Sequence, residues 1–163
     1  MYKYNDYLKL TKEYLKNFAY YRQAISSISE DIEDIRRQLA TESIKAPAYG
    51  SDTSGGFNEL NGIERAAENR IRLTKVSEEL QENCRVLERQ MKKVTAAINT
   101  LPEDERQAIQ MYYMDRMTYG VISEKLHLSE RSCKRRISKA TRSIAFMLFG
   151  LTASRNVFFV AVG

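Results

Sequence analysis

Residues 118–150 read TYGVISEKLHLSERSCKRRISKATRSIAFMLFG, and this stretch decides the architecture of the last third of the chain. Thr118 offers a hydroxyl in N-cap position for a short helix, Tyr119 to Leu126, whose inward face is Ile122 and Leu126, with small Ser123 allowing close approach. His127-Leu128 interrupts the pattern, and Ser129 caps a second helix from Glu130 to about Leu148. Along that helix Cys133, Ile137, Ala140 and Ile144 recur at three-and-four spacing, so they share one face, and Leu128 plugs the angle between the two helices. A short helix, a tight turn and a capped second helix make a helix-turn-helix. His127 stands where such a turn often takes Gly, and His tolerates positive φ better than most side chains.

Taking away the inward residues leaves Glu130, Arg131, Ser132, Lys134, Arg135, Arg136, Ser138, Lys139 and Arg142 on the outside of the second helix. Nearly all are hydrogen-bond donors, a surface that suits the major groove of double-stranded DNA and its flanking phosphates. Arg131, Lys134 and Arg135, in the first two turns, are the candidates for base edges, where Arg pairs bidentately with guanine and Glu130 can accept from a cytosine amino group. Arg136, Lys139 and Arg142 are the candidates for phosphates, contacts that position without specifying sequence. Ser129 and Ser132 read as cap and backbone ligands. A basic run by itself is most often a solvated face. Here residues 118–150 hold seven basic and two acidic residues, while the rest of the chain holds 19 of each, so the formal net charge of +5 equals the charge of this one window. A footprint so concentrated points to a polyanion.

Upstream, Leu101-Pro102-Glu103-Asp104-Glu105-Arg106 starts a further helix: Pro suits a first turn, and three carboxylates sit at the positive end of the helix dipole. Ala108, Ile109, Tyr112 and Tyr113 continue it, and the pattern fades at Met114-Asp115-Arg116-Met117. Before that, Tyr7, Tyr14, Tyr21, Ile28 and Ile35 form one row of a seven-residue repeat, and Phe18, Ile25, Ile32 and Leu39 the other, with Thr11 as the defect. The spacing predicts one helix of roughly 40 residues, with the tyrosine hydroxyls toward a wetter, frayed end. Residues 46–56 (APAYGSDTSGG) cannot continue a helix and read as a loop reaching to about 58. A second helix follows, about Leu60 to Thr100, in which Leu73, Leu80, Leu87, Val94 and Leu101 repeat beside Cys84, Met91 and Ile98, with Ile63 and Ala66 extending the stripe backward and Arg70 and Ser77 as defects. Two such helices of matched length predict a long antiparallel, coiled-coil-like hairpin. The same stripe also suits pairing between two chains as a homodimer. The expected class is therefore all-α: a helical hairpin over 1–100, a helix-turn-helix domain over 101–150, and an apolar tail over 151–163.

With 2 Pro, 7 Gly and 29% charged residues the composition favours helix. One His, two Cys at apolar helix positions (Cys84 and Cys133), and no phosphate-binding Gly-rich loop or metal-ligand spacing argue against an enzyme, a metal and a cofactor. Asp31, Glu33 and Asp34 lie beside Arg36 and Arg37, which surface pairing explains better than acid/base chemistry. No apolar run is long enough to span a bilayer. With buried thiols and no signal peptide, the expected location is the cytoplasm. The tail, with Val157-Phe158-Phe159-Val160, suits packing on the hairpin, a short strand at an interface, or disorder.

Leu101-Pro102, Glu105-Arg106, Ile109, Tyr112-Tyr113, Thr118-Tyr119, Ile122, Leu126, Leu128-Ser129, Lys134, Arg136-Ile137 and Lys139-Ala140 resemble region 4 of bacterial sigma factors over some 50 residues. Val121 departs from that family, which usually has Glu there, as does Cys133, where it has Val. The resemblance implies reading of the promoter −35 element and contact with RNA polymerase. A complete sigma factor is excluded, because a heptad hairpin stands where the promoter-melting region would be. In layout the chain is similar to the late-gene transcription regulators of phages and prophages of the ArpU and RinA type, which implies action at phage promoters with host RNA polymerase. Two rival readings are a phage small-terminase-like DNA-recognition subunit and a coiled-coil interaction protein.

Overall fold

The computed structural model describes residues 4–44 and 58–153, all in helices and their connections. The elements are α1 (Tyr4–Lys16), α2 (Phe18–Ile44), α3 (Asn58–Thr100), α4 (Glu103–Ile109), a π-helical turn (Gln110–Met114), α5 (Tyr119–Leu126), α6 (Glu130–Phe149) and a 3-10 turn (Gly150–Ala153). The expected loop at 46–56 and the tail beyond Ala153 lie outside the described residues.

The single first helix expected from the heptads is two helices, α1 and α2, parted at Asn17. The break is slight. Asn17 N donates to Glu13 O, and Tyr21 N to Asn17 O, both at 3.0 Å, so helical hydrogen bonding carries through the interruption. The chain divides into two compact units, and the boundaries fall inside α2 and α3. One unit takes residues 1–22 and 89–163, the other residues 23–88.

In the second of these, α2 meets α3 around Ile32 and Cys84. Ser29 Oγ lies 3.8 Å from Cys84 Sγ, and Ile32 and Cys84 are buried. Ile25, Ile28, Ile35, Leu39, Leu73, Leu80 and Leu87 are half-buried. Ser77, a defect in the repeat, is buried and accepts a hydrogen bond from Gln81 Nε2 at 3.1 Å, so its hydroxyl is not left unsatisfied. The backward extension of the stripe is not realised, since Ile63 and Ala66 are exposed. Arg36 pairs with Glu33 and Arg37 with Asp34, the surface pairing their spacing implies.

The other unit holds the helix-turn-helix. Its core gathers Val94, Ala97, Ile98 and Leu101 from the end of α3, Ala108 and Ile109 from α4, Tyr113, Ile122 from α5, and Cys133, Ile137, Ala140 and Ile144 from α6. Every inward residue assigned to α6 from its spacing is buried. Leu15 of α1 is in the same core and fully buried. Thr11, one turn earlier, is buried too; its hydroxyl donates to Tyr7 O at 2.8 Å, which reconciles a polar residue with the core. Tyr7 packs against Phe149 with ring centroids 5.0 Å apart, so α1 lies along α6 from its C-terminal end. The N-terminal helix and the last turns of α3 thus help build the body that carries the helix-turn-helix. Seven-residue periodicity identifies an apolar stripe but not the surface that will cover it.

Charge follows the two units rather than the sequence window. The unit of residues 1–22 and 89–163 has 18 basic and 8 acidic residues, net +10, and the unit of residues 23–88 has 8 basic and 13 acidic, net −5. The balance found outside 118–150 is therefore a cancellation between two bodies.

Candidate nucleic-acid interface

Two caps set the helices of the motif. Thr118 Oγ1 accepts from Val121 N at the start of α5, and Ser129 Oγ accepts from Ser132 N at 3.2 Å at the start of α6. Between them His127 takes φ 52° and ψ 44°, the left-handed conformation the sequence indicated, and Leu128 N donates to Ser123 O at 2.9 Å. Those hydrogen bonds close the end of α5 and redirect the chain into α6. The approach to α5 is less ordinary. Asp115 N donates to Gln110 O and Met117 N to Met111 O, a wide π-type turn, and Arg116 then adopts φ 53° with its guanidinium 5.6 Å from the Tyr20 ring centroid. Neither feature has a signal in the sequence, because apolar spacing over 108–113 fits an α-helix equally well and Arg is not a residue expected at positive φ.

The outer face of α6 sorts the nine candidate residues into three groups. Arg131, Arg135, Ser138 and Arg142 follow one another at four, three and four residues, which places them in one exposed stripe opposite Cys133, Ile137, Ala140 and Ile144. Among the described residues, Arg131, Arg135 and Arg142 make no ion pair. The second group turns toward α5: Lys134 Nζ lies 5.0 Å from the Tyr119 ring centroid and 3.7 Å from Glu130 Oε2. Lys134 therefore stands apart from the two arginines with which the sequence grouped it. Ser132 is tied into the cap, its hydroxyl accepting from Ser129 Oγ at 2.9 Å.

The third group meets α4. Arg136 pairs with Asp104 at 3.0 Å, and Lys139 Nζ donates to Glu105 Oε1 at 2.6 Å. Glu105 is buried, whereas the Lys139 side chain remains 70% exposed, so this ammonium keeps an open side toward solvent. Two of the three cations assigned to phosphates thus already hold a carboxylate of their own chain. Arg142 alone of the three is unengaged among the described residues.

Four side chains beside this surface were not assigned to it from the sequence. Tyr112 and Tyr119 stack with ring centroids 4.8 Å apart, and burial pushes the Tyr119 hydroxyl up to about 12, helped by its hydrogen bond with Tyr112 and by the neighbouring phenols Tyr112 and Tyr113. Lys12 and Lys16 of α1 line a cleft that Lys134, Ser138 and Arg142 also line. Their spacing of four residues was the only sign, and it is common in solvated helices.

The family model for Sigma-70, region 4 matches residues 91–144. The match covers 54 of the 163 residues and includes the last turns of α3, α4, the π-helical turn, α5 and most of α6. It begins two residues inside the start of the larger piece of the basic unit, Arg89. The chain carries a helix-turn-helix of the DNA-binding type, with a function related to transcription. Comparison with curated proteins and with solved structures returned no match. Among the described residues no helix is long and apolar enough to cross a membrane.

Proposed function

We propose that the protein is a sequence-specific, double-stranded-DNA-binding transcription regulator, in which α6 enters the major groove with Arg131 and Arg135 toward base edges and Arg142 on the backbone. One observation carries the reading: an exposed ridge of arginines, without ion-pair partners among the described residues, on the second helix of a helix-turn-helix inside a unit of net +10. Arg136 and Lys139, braced by Asp104 and Glu105, belong at the flank, where an ammonium with one open side can reach a phosphate while its other side stays anchored. Lys134 and Glu130 stand at the α5 edge of the ridge, and Ser132 and Ser138 serve as short-range donors. The match to Sigma-70, region 4 supports action at promoters together with a bacterial RNA polymerase. The layout of paired long helices and a C-terminal module supports a phage late-gene regulator of the ArpU and RinA type, working in the host cytoplasm, with homodimerisation through the long helices.

The test starts from duplexes selected by the full chain from a random pool. Arg135→Ala relaxes base preference at one position, with about 1–3 kcal/mol of discrimination lost. Arg142→Ala weakens selected and random duplexes alike and lowers the salt slope by about 0.9. Affinities unchanged in both variants contradict the reading. Stimulation of transcription by purified bacterial polymerase from a promoter containing the selected site tests the regulatory role.

A further inference from the structure

The cleft between α1 and α6 has a volume of about 400 Å³, and its walls are unusual in sign. Lys12 and Lys16 stand on one side, Lys134 and Arg142 on the other, with Tyr112 and Tyr119 among the lining, and among the described residues no Asp or Glu lines it. Lys12, Lys16 and Arg142 have no ion pair among the described residues, and the single carboxylate near Lys134 is Glu130, at 3.7 Å. Four cations gathered around one concavity repel one another, and the repulsion is relieved when an anion enters. The lysines are also held in place. Buried Thr11 and Leu15 key α1 into the core, and Tyr7 against Phe149 fixes its other end.

We infer that α1 is a second DNA-contacting element, with Lys12 and Lys16 each closing on a backbone phosphate next to the groove that α6 occupies. The inference rests on the DNA-binding reading of α6 and adds to it a contact outside the helix-turn-helix. The cleft shares Lys134, Ser138 and Arg142 with the outer face of α6, so a strand following the arginine ridge passes its mouth. The lysines carry no base information. They set register and affinity, as phosphate contacts do.

The experiment measures the salt dependence of binding by the full chain to its selected duplex and to a random duplex. Lys12→Gln/Lys16→Gln is compared with Lys92→Gln/Lys93→Gln, an exposed pair on α3 that makes the same change in net charge. The expected result is a salt slope lower by about 1.8 for the α1 pair, at about 0.9 per lost phosphate contact, with an unchanged ratio of selected to random affinity. The α3 pair leaves the slope as it is. Equal losses from both pairs, or no loss from the α1 pair while Arg135→Ala still relaxes base preference, overturn the α1 contact and leave DNA binding by α6 standing. If neither Arg135→Ala nor the α1 pair changes binding, the DNA-binding reading fails and takes this inference with it.

Discussion

Lys139 and Glu105 have unequal surroundings, and that inequality yields a quantitative test. The Glu105 side chain is 8% exposed and accepts from Lys139 Nζ at 2.6 Å, while the lysine side chain is 70% exposed. Lys139→Met keeps the aliphatic stem and removes the ammonium, stranding a carboxylate at the edge of the core. A hydrogen bond to a charged group contributes about 1.5–3 kcal/mol. Water and salt reach this ammonium, so its share is smaller, and the expected cost of Lys139→Met is about 1–2 kcal/mol. Adding Glu105→Gln removes the stranded charge, so the double variant recovers about half of that loss, a coupling on the order of 1 kcal/mol in a double-mutant cycle. Urea unfolding followed by tyrosine emission is the assay, because the chain has no Trp and nine of its ten Tyr belong to the unit that contains both residues. With a denaturant slope of about 1–3 kcal/mol/M, the midpoint for Lys139→Met falls by on the order of 0.5–1 M. A midpoint equal to that of the parent protein would refute the claim that this pair secures α4 to α6.

The remaining predictions concern the turn and the tyrosine cluster. His127→Gly relieves a left-handed backbone at the end of α5, and a gain of about 0.5–1 kcal/mol in the same unfolding experiment is expected; a loss would mean that the imidazole has a stabilising contact. Tyr119 has its hydroxyl raised from the ordinary 10 to about 12, chiefly by burial, so folding favours the neutral phenol. Its contribution to stability is complete below about pH 10 and is lost as pH rises from 10 toward 12, because only the unfolded chain ionises early. Absorbance titration of tyrosinate should therefore show a late phase that Tyr119→Phe diminishes by one phenol, and a titration unaltered by Tyr119→Phe would contradict the half-buried placement.

Much of the helix-turn-helix was legible because it is specified locally. Thr118 and Ser129 cap their own helices, His127 supplies the turn, and three-and-four spacing separates the buried face of α6 from its basic face within one segment. The features that escaped are those decided between distant segments. Nothing local tells Arg136 and Lys139 that Asp104 and Glu105 will face them across 30 or so residues, and a carboxylate in a first helical turn has a sufficient local reason to be there. The heptads of residues 4–39 show an apolar stripe, yet Tyr7 packs on Phe149 of α6 while Ile32 lies with Cys84 of α3, a change of partner that leaves the period intact, and the fully buried Leu15 falls on neither row of the repeat. The π-helical turn and the positive φ of Arg116 are likewise products of packing, since no residue type there demands them.

The split of charge, +10 on one body and −5 on the other, also governs how molecules of this protein meet each other. At low ionic strength the acidic unit of one molecule is expected to attract the basic unit of another, so that clusters grow as the Debye length extends from about 10 Å at 0.1 M salt to about 30 Å at 0.01 M. Added salt dissolves such clusters instead of precipitating them. Nucleic acid, a denser polyanion than the acidic unit, should disperse them as well by occupying the surface that holds them together.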